Sequence, residues 1–251
     1  TLEEFHKFYK IPDNTDIEVI HWGCDQRVFR PPDKDNEAEQ LNHERIRKAY
    51  DCADEEALSY GPKTETPMLL AVGRLVARKG YMSLLRAMPL ILKEHANTRL
   101  VIIGRGHMKK SLLKTAEELG VSHAVFIKSS MSFEDIAQHY RSADLVVYPS
   151  YYEGLGLIPL EALASGTPVV TVDQPPLTEM VDDTVGGLFD RGDHAGMAKA
   201  ICDELNGSVK RIKKAKAGRK RVLDSFTCEG NAEMYEDVFQ RSVQKRHWRD
   251  K

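Results

Sequence analysis

The chain has 251 residues, 41% hydrophobic and 29% charged, with a formal net charge of −2. This composition suits a water-facing protein with a real apolar core, built as one large domain or two small ones. It excludes a global basic field for nucleic acid, and no apolar run approaches the length of a membrane-spanning helix.

Thr1–Lys10 reads as a helix end without signal-peptide character, and Ile17–Ile20 reads as a strand leading into His21-Trp-Gly-Cys-Asp25, with Phe29 and Pro31 beyond. Residues 1–34 are therefore expected to be a hinge, or the remnant of a preceding domain. Residues 35–66 form a polar connection, with a helix around Glu37–Leu58 and a linker at Lys63–Pro67. The four cysteines, Cys24, Cys52, Cys202 and Cys228, show no C-x-x-C spacing. They define neither a disulfide framework nor a metal site, and the expectation is a reduced, cytoplasmic protein.

From 67 to 205 strand and helix patterns alternate without consecutive strands, which argues for an α/β fold with a parallel sheet and helices on both faces. Met68–Val72 is the first strand, followed by Gly73-Arg74-Leu-Val-Ala-Arg78-Lys79-Gly80 and a helix over 82–95. Three cations gather just before a helix N-terminus, where the macrodipole disfavours them. A bound polyphosphate would reverse that sign, Arg74 forking onto phosphate oxygens and Lys79 acting as a point charge. A solvated basic turn is the competing reading. Arg99–Ile103 is a strand ending at Gly104-Arg-Gly-His107, with a helix over 108–119. The Gly-x-Gly there lacks the rest of a dinucleotide fingerprint, which argues against a nicotinamide cofactor. Val125–Ile127 is a strand ending at Lys128. Phe133–Arg141 is an amphipathic helix capped by Ser132, with Asp135 three residues on, and His139 on it reads as structural.

Residues 144–172 carry the densest signal. Leu145–Tyr148 suits a buried strand. A loop with Gly154 and Gly156 follows, and Pro159 is placed as the first helical residue. Gly166 fits the position after the helix end, and Val169–Val172 is the next strand. Free amides of the loop and helix start, about Leu155–Leu160, favour an anion such as phosphate. Glu153 and Glu161 flank that amide cluster, and their carboxylates can accept from hydroxyl groups on either side of it. An ordinary strand–turn–helix with two solvated glutamates is the alternative.

Glu153-Gly-Leu-Gly-Leu-Ile-Pro-Leu-Glu161 with the following Ala-Leu-Ala-Ser-Gly-Thr-Pro-Val-Val resembles the Glu-x7-Glu segment of retaining glycosyltransferases of family 4, which have the GT-B fold. Gly73-Arg74…Lys79-Gly80 is similar to the family's diphosphate-holding pattern. The resemblance covers 68–205 well and 17–30 loosely, with His21-Trp22 where the family usually has Pro-Asn. It implies the donor-binding, Rossmann-like C-terminal half of such an enzyme. In it Arg74 and Lys79 hold the donor diphosphate, and Glu153 binds hydroxyls of the transferred sugar. Glu161 accepts from the ribose, and Gly73, Gly104, Lys128, Gly154, Leu155, Gly156 and Leu157 border nucleotide and sugar. The implied substrate is a UDP- or GDP-sugar, with no cofactor and no metal in the donor site. The implied partner is an N-terminal acceptor domain, without which transfer would be poor. A non-catalytic nucleotide-binding module is the alternative function. Pro175-Pro176 stand where the family commonly has a Gly pair, removing two amide donors.

After a strand at Gly186–Phe189 and a helix at Ala195–Leu205, residues 206–251 read as C-terminal helices. Val209–Val222 carries eight basic residues, either a solvated face or a contact for an anionic membrane. Ser225–Gln244 reads as the closing helix and Lys245–Lys251 as a frayed tail.

Overall fold

The computed structural model describes residue 9, residues 17–51 and residues 66–249, with backbone only for 245–249. Six parallel strands form one sheet: β1 (Met68–Val72), β2 (Arg99–Ile103), β3 (Val125–Lys128), β4 (Leu145–Tyr148), β5 (Val169–Val172) and β6 (Gly186–Phe189). Their order is β3-β2-β1-β4-β5-β6. Every residue of β1, β4 and β5 is buried, as expected of a parallel sheet covered on both faces, whose strands are apolar throughout rather than alternating.

One face is covered by α2 (Tyr81–Glu94), α3 (Lys109–Glu118) and α7 (His194–Asn206). The other carries α1 (Glu37–Ala49), α4 (Phe133–Ser142), α5 (Leu157–Ala164) and α8 (Ser208–Ser225), each packed on the next in that order. A short helix α6 (Leu177–Met180) lies between β5 and β6, and α9 (Cys228–Arg249) closes the described chain. The fold class expected from the sequence is thus observed. The helix end at Gly166 is a Schellman turn: its N–H reaches the Leu163 carbonyl, that of Thr167 reaches Ala162, and φ at Gly166 is 79°. Ser132 caps α4 through the Asp135 amide at 3.1 Å. His139 is buried between Tyr50 and the Asp135 carbonyl, a structural role as read.

Four readings need correction. Ile17–Ile20 is not a strand. Glu18 and Val19 are exposed, and among the described residues no strand pairs with the segment; the nearest ladder contact is an isolated bridge from Cys24 to Thr227. The helix placed at Glu37–Leu58 ends at Ala49, and Asp51 turns back with φ 55°. Residues 52–65, with most of the Lys63–Pro67 linker, and nearly all of Thr1–Lys10, lie outside the described residues. Helix α5 begins at Leu157, two residues before Pro159. Pro159 still falls in the first turn, where an N–H has no intrahelical partner to lose. Finally, α9 starts at Cys228 and runs to Arg249 rather than fraying from Lys245.

The basic run of 209–222 is only half solvated. Lys214 is buried and donates to Glu204 and to the Gly186 carbonyl, each at 2.5 Å. Arg211 binds the carbonyls of Glu204 and Leu205, and Arg219 bridges those of Phe29 and Ala164. Arg221 holds Asp182 at 2.8 Å. These cations fasten α8 to the sheet domain, leaving Lys210, Lys213, Lys216 and Lys220 exposed.

Candidate functional site

The strand order reverses between β1 and β4. The chain leaves β1 towards β2 and β3, then returns to place β4 on the other side of β1. In open parallel sheets the loops at the carboxyl ends of such strands diverge and leave a crevice for ligand. The loop after β1 carries Gly73–Gly80, and the loop after β4 carries Pro149–Gly156. The two stretches singled out by the sequence therefore meet at the switch point.

Their meeting is tight. Lys79 Nζ lies 2.5 Å from Glu153 Oε1 and 2.7 Å from the Tyr148 hydroxyl. Both charged side chains are about nine-tenths buried, at 8% and 10% exposure. Ser150 donates a further short hydrogen bond to the same carboxylate oxygen. Arg78, given no role from sequence, donates to the Tyr152 carbonyl at 2.7 Å and stands 3.5 Å from Glu153. The Tyr151 amide in turn reaches the Arg78 carbonyl at 2.7 Å. Gly80 makes this zipper possible. Its φ is 71°, and a Cβ there would sit 2.0 Å from the Pro149 carbonyl oxygen.

Electrostatics follow from this packing. Burial pushes the Lys79 ammonium below its ordinary value, although Glu153 holds it up. Burial also pushes Glu153 up, but hydrogen bonds from Lys79, Ser150 and Tyr148 outweigh it and leave the carboxyl below the usual range. Three donors converging on one carboxylate favour the ionised form. The Arg74 side chain is exposed and makes no hydrogen bond or ion pair among the described residues, and it lies close enough to Lys79 to disfavour its charge. A free guanidinium beside a held ammonium is an anion-binding arrangement.

Glu161 sits differently. It accepts from the Tyr140 hydroxyl at 2.9 Å, and no cation pairs with it among the described residues. Burial pushes its carboxyl up, Tyr140 offsetting only part of the effect. Among the described residues no hydrogen bond links its side chain to Glu153. Between them lie buried tyrosines, Tyr148 on the Lys79 side and Tyr140 on the Glu161 side, close enough to feel each other's ionisation. Tyr81 belongs to the same cluster. Its hydroxyl is buried without a hydrogen-bond partner among the described residues, 2.9 Å from where a Cβ on Gly73 would be. The absent side chain of Gly73, with φ 138°, leaves that hydroxyl room.

The glycine loop divides into a fixed and an open part. Gly156 has φ 93°, and a Cβ on it would meet Leu177 at 3.1 Å, so α6 buttresses the loop. Gly156 also provides no side-chain cap for α5, so none of the first-turn amides from Leu157 onward is satisfied that way. Leu155 and Leu157 pack their side chains on the core. Gly154 has nothing within 4 Å of where a Cβ would be. The remaining predicted residues form a strip along the rim. The Gly73 amide donates to Ile103, and the Gly104 amide donates to the Lys128 carbonyl, both at 3.0 Å. Gly104 has its close approach to the Gly73 carbonyl, 1.9 Å from a would-be Cβ, so its lack of side chain first serves loop against loop. Lys128 is exposed, with its ammonium over the Tyr50 ring at 5.5 Å.

Sequence reasoning missed Tyr81, Tyr140, Tyr148, Ser150 and Arg78. Tyr148 and Ser150 flank the β4 exit and were visible as its end. The others needed the strand order. Among the described residues no helix is long and apolar enough to cross a membrane.

The family model for glycosyl transferases group 1 matches residues 53–221. An uncharacterized glycosyltransferase of Methanocaldococcus jannaschii is 42% identical over 131 residues, covering 52% of this chain and 33% of that protein. A GDP-mannose-dependent alpha-(1-6)-phosphatidylinositol monomannoside mannosyltransferase of Mycolicibacterium smegmatis is 30% identical over 218 residues, 84% of this chain and 52% of its own. Among solved structures, Anabaena HepE in complex with UDP-glucose superposes with a TM-score of 0.75 at 19% identity, over 89% of this chain and 57% of that one. The chain thus spans between a third and about half of the curated relatives named here. With its six-stranded parallel sheet and its Arg74–Lys79 and Glu153–Glu161 loops at one rim, the chain belongs to the group 1 glycosyltransferases, as the Rossmann-like half of a GT-B fold.

Proposed function

We propose that this chain is the donor-binding half of a retaining glycosyltransferase, taking a UDP- or GDP-sugar with no metal in the donor site. The carrying observation is the Lys79–Glu153 pair at the β1–β4 crevice, beside an unpaired Arg74 and the open Gly154. Arg74 and the N–H of Lys79 not used by Glu153 and Tyr148 take the diphosphate. Amides at Gly154–Leu157 approach phosphate and sugar, Glu153 accepts from sugar hydroxyls, and Glu161 accepts from the ribose. Gly73, Gly104 and Lys128 form the nucleotide's border. Retention would follow from front-face attack, with the diphosphate leaving on the side the acceptor enters. The GDP-mannose-dependent relative and the UDP-glucose complex of HepE support a nucleotide sugar and leave UDP against GDP to experiment.

The relatives' greater length supports a second, acceptor-binding lobe. A half-site leaves the donor exposed to water and lacks the positioning that transfer needs. The isolated 251 residues therefore bind donor but transfer slowly. The test is to add the upstream lobe and read the anomeric configuration of the product by NMR. An inverted product refutes the retaining reading, and full activity of the 251 residues alone refutes the half-site reading. A non-catalytic module would show no transfer in the two-lobed protein and no effect of Glu153→Gln on it. The four exposed lysines of α8 leave a peripheral contact with anionic membrane testable by vesicle co-sedimentation. Binding indifferent to anionic lipid removes it.

A further inference from the structure

The end of the domain opposite the rim holds a second constellation. Glu94 ends α2, His95 follows it, and Cys202 lies in α7, the neighbouring helix on the same face. One ligand atom from each of the three lies within 4.8 Å of the others. His95 Nε2 is buried and has no hydrogen-bond partner among the described residues. It stands 3.8 Å from Glu94 Oε1. Cys202 is a buried free thiol.

We propose that Glu94, His95 and Cys202 form a divalent-metal site for a zinc-class ion, with solvent in the fourth position. Imidazole nitrogen, thiolate sulfur and carboxylate oxygen are the donor set of tetrahedral zinc, and metal–ligand bonds of about 2.0–2.3 Å place such donors roughly 3.5 Å apart. The observed spacing, within 4.8 Å, needs a contraction of roughly 1.3 Å at most, and Glu94, half exposed, can move to supply part of it. Two of the ligands are already fixed. The His95 backbone is held at both ends, its amide by Ile91 and its carbonyl by Thr98, and Cys202 is embedded in α7. Asn206 donates to Glu94 Oε1 at 2.5 Å, a neighbour able to orient the carboxylate. The carboxyl end of α2 converges there, and its macrodipole favours a cation. The unpartnered nitrogen is the feature that points to a ligand, because a buried imidazole nitrogen otherwise finds a hydrogen bond. On binding, Cys202 releases its thiol proton to solvent and coordinates as thiolate.

The site is distinct from the donor rim. Helix α2 starts beside Lys79 and runs 14 residues before reaching Glu94, about 20 Å at 1.5 Å per residue. Its consequence is a clamp between α2 and α7 that leaves nucleotide binding unchanged.

The test is titration of the apo chain with Co²⁺ and with Zn²⁺. The expected result is one metal per chain, with a sulfur-to-cobalt charge-transfer band that Zn²⁺ displaces and a melting temperature that Zn²⁺ raises. Cys202→Ser should abolish the band and His95→Gln should weaken binding at least tenfold, while Cys228→Ser changes neither. Because Cys202 is buried and its variant could misfold, His95→Gln gives an independent reading of the melting shift. No stoichiometric metal, or binding that survives both Cys202→Ser and His95→Gln, overturns the proposal.

Discussion

Lys79 Nζ and Glu153 Oε1 lie 2.5 Å apart across the crevice between β1 and β4, each brought there by a loop that leaves a different strand end. The pair neutralises two nearly buried charges. In the proposed function the same two side chains present a phosphate cation and a sugar-hydroxyl acceptor at adjacent points of one rim.

Breaking this pair should be costly, because removal of one partner strands the other. Lys79→Met should destabilise the chain by about 3 kcal/mol, within the range for a broken buried ion pair. Glu153→Gln should cost less, since the amide oxygen still accepts from Lys79 and Ser150. Urea denaturation of both single variants and the double variant measures the coupling. A coupling energy near zero would mean that the pair is solvated and loosely held.

The two glutamates should respond to pH with opposite signs. Glu153 is held below its reference value of 4.5. Its stabilisation is therefore complete above that pH and fades as pH falls through the lower folded value. Glu161 is raised above 4.5 by burial. The folded state favours its proton, so it costs stability at neutral pH, and that cost is relieved as pH falls through the raised value. Glu161→Gln keeps an acceptor for Tyr140 and removes the buried charge, so it should raise the melting temperature at pH 7 while weakening nucleotide binding. Melting curves of both Gln variants from pH 3 to 8 decide it; a fall in both at pH 7 contradicts the assignment for Glu161.

Gly154 and Gly156 should part company under substitution. Gly156→Ala meets a φ of 93° and Leu177, a strain of about 1–2 kcal/mol from backbone alone. Gly154→Ala enters open space and should leave the melting temperature within a degree, yet lower donor affinity by filling the approach to the amides. Calorimetric titration with UDP and GDP checks this. Unchanged affinity in Gly154→Ala would move the ligand elsewhere.

Much of this was legible in the chain. The apolar runs at Met68–Val72, Arg99–Ile103, Leu145–Tyr148, Val169–Val172 and Gly186–Phe189 become strands with those bounds, because buried parallel strands leave unbroken Val, Leu and Ile. The Gly73–Gly80 and Glu153–Glu161 loops were visible from cations and glycines at special positions. Strand order was not legible, since periodicity says nothing about which strand lies beside which. Hence the zipper of Arg78, Ser150 and Tyr148 around Lys79 and Glu153 was hidden, as was the Tyr140 hydroxyl on Glu161. Ile17–Ile20 misled because its β-branched residues have no partner strand among the described residues. The α8 lysines misled in part because a charge run does not disclose that Lys214 reaches Glu204 in the interior.

The most direct measurement is a thermal-shift panel of UDP, GDP, ADP and NAD on the wild-type chain and on Arg74→Ala. Arg74 is exposed and unpaired, so its loss should leave the unliganded stability within about 0.5 kcal/mol. Ligand at 100 times its Kd stabilises by about 2.7 kcal/mol, and at roughly 2–4 °C per kcal/mol that is a rise of several degrees. The account predicts such a rise with UDP or GDP, none with NAD, and its disappearance in Arg74→Ala. A nucleoside-diphosphate shift that persists undiminished in Arg74→Ala, or a shift with NAD alone, would contradict it.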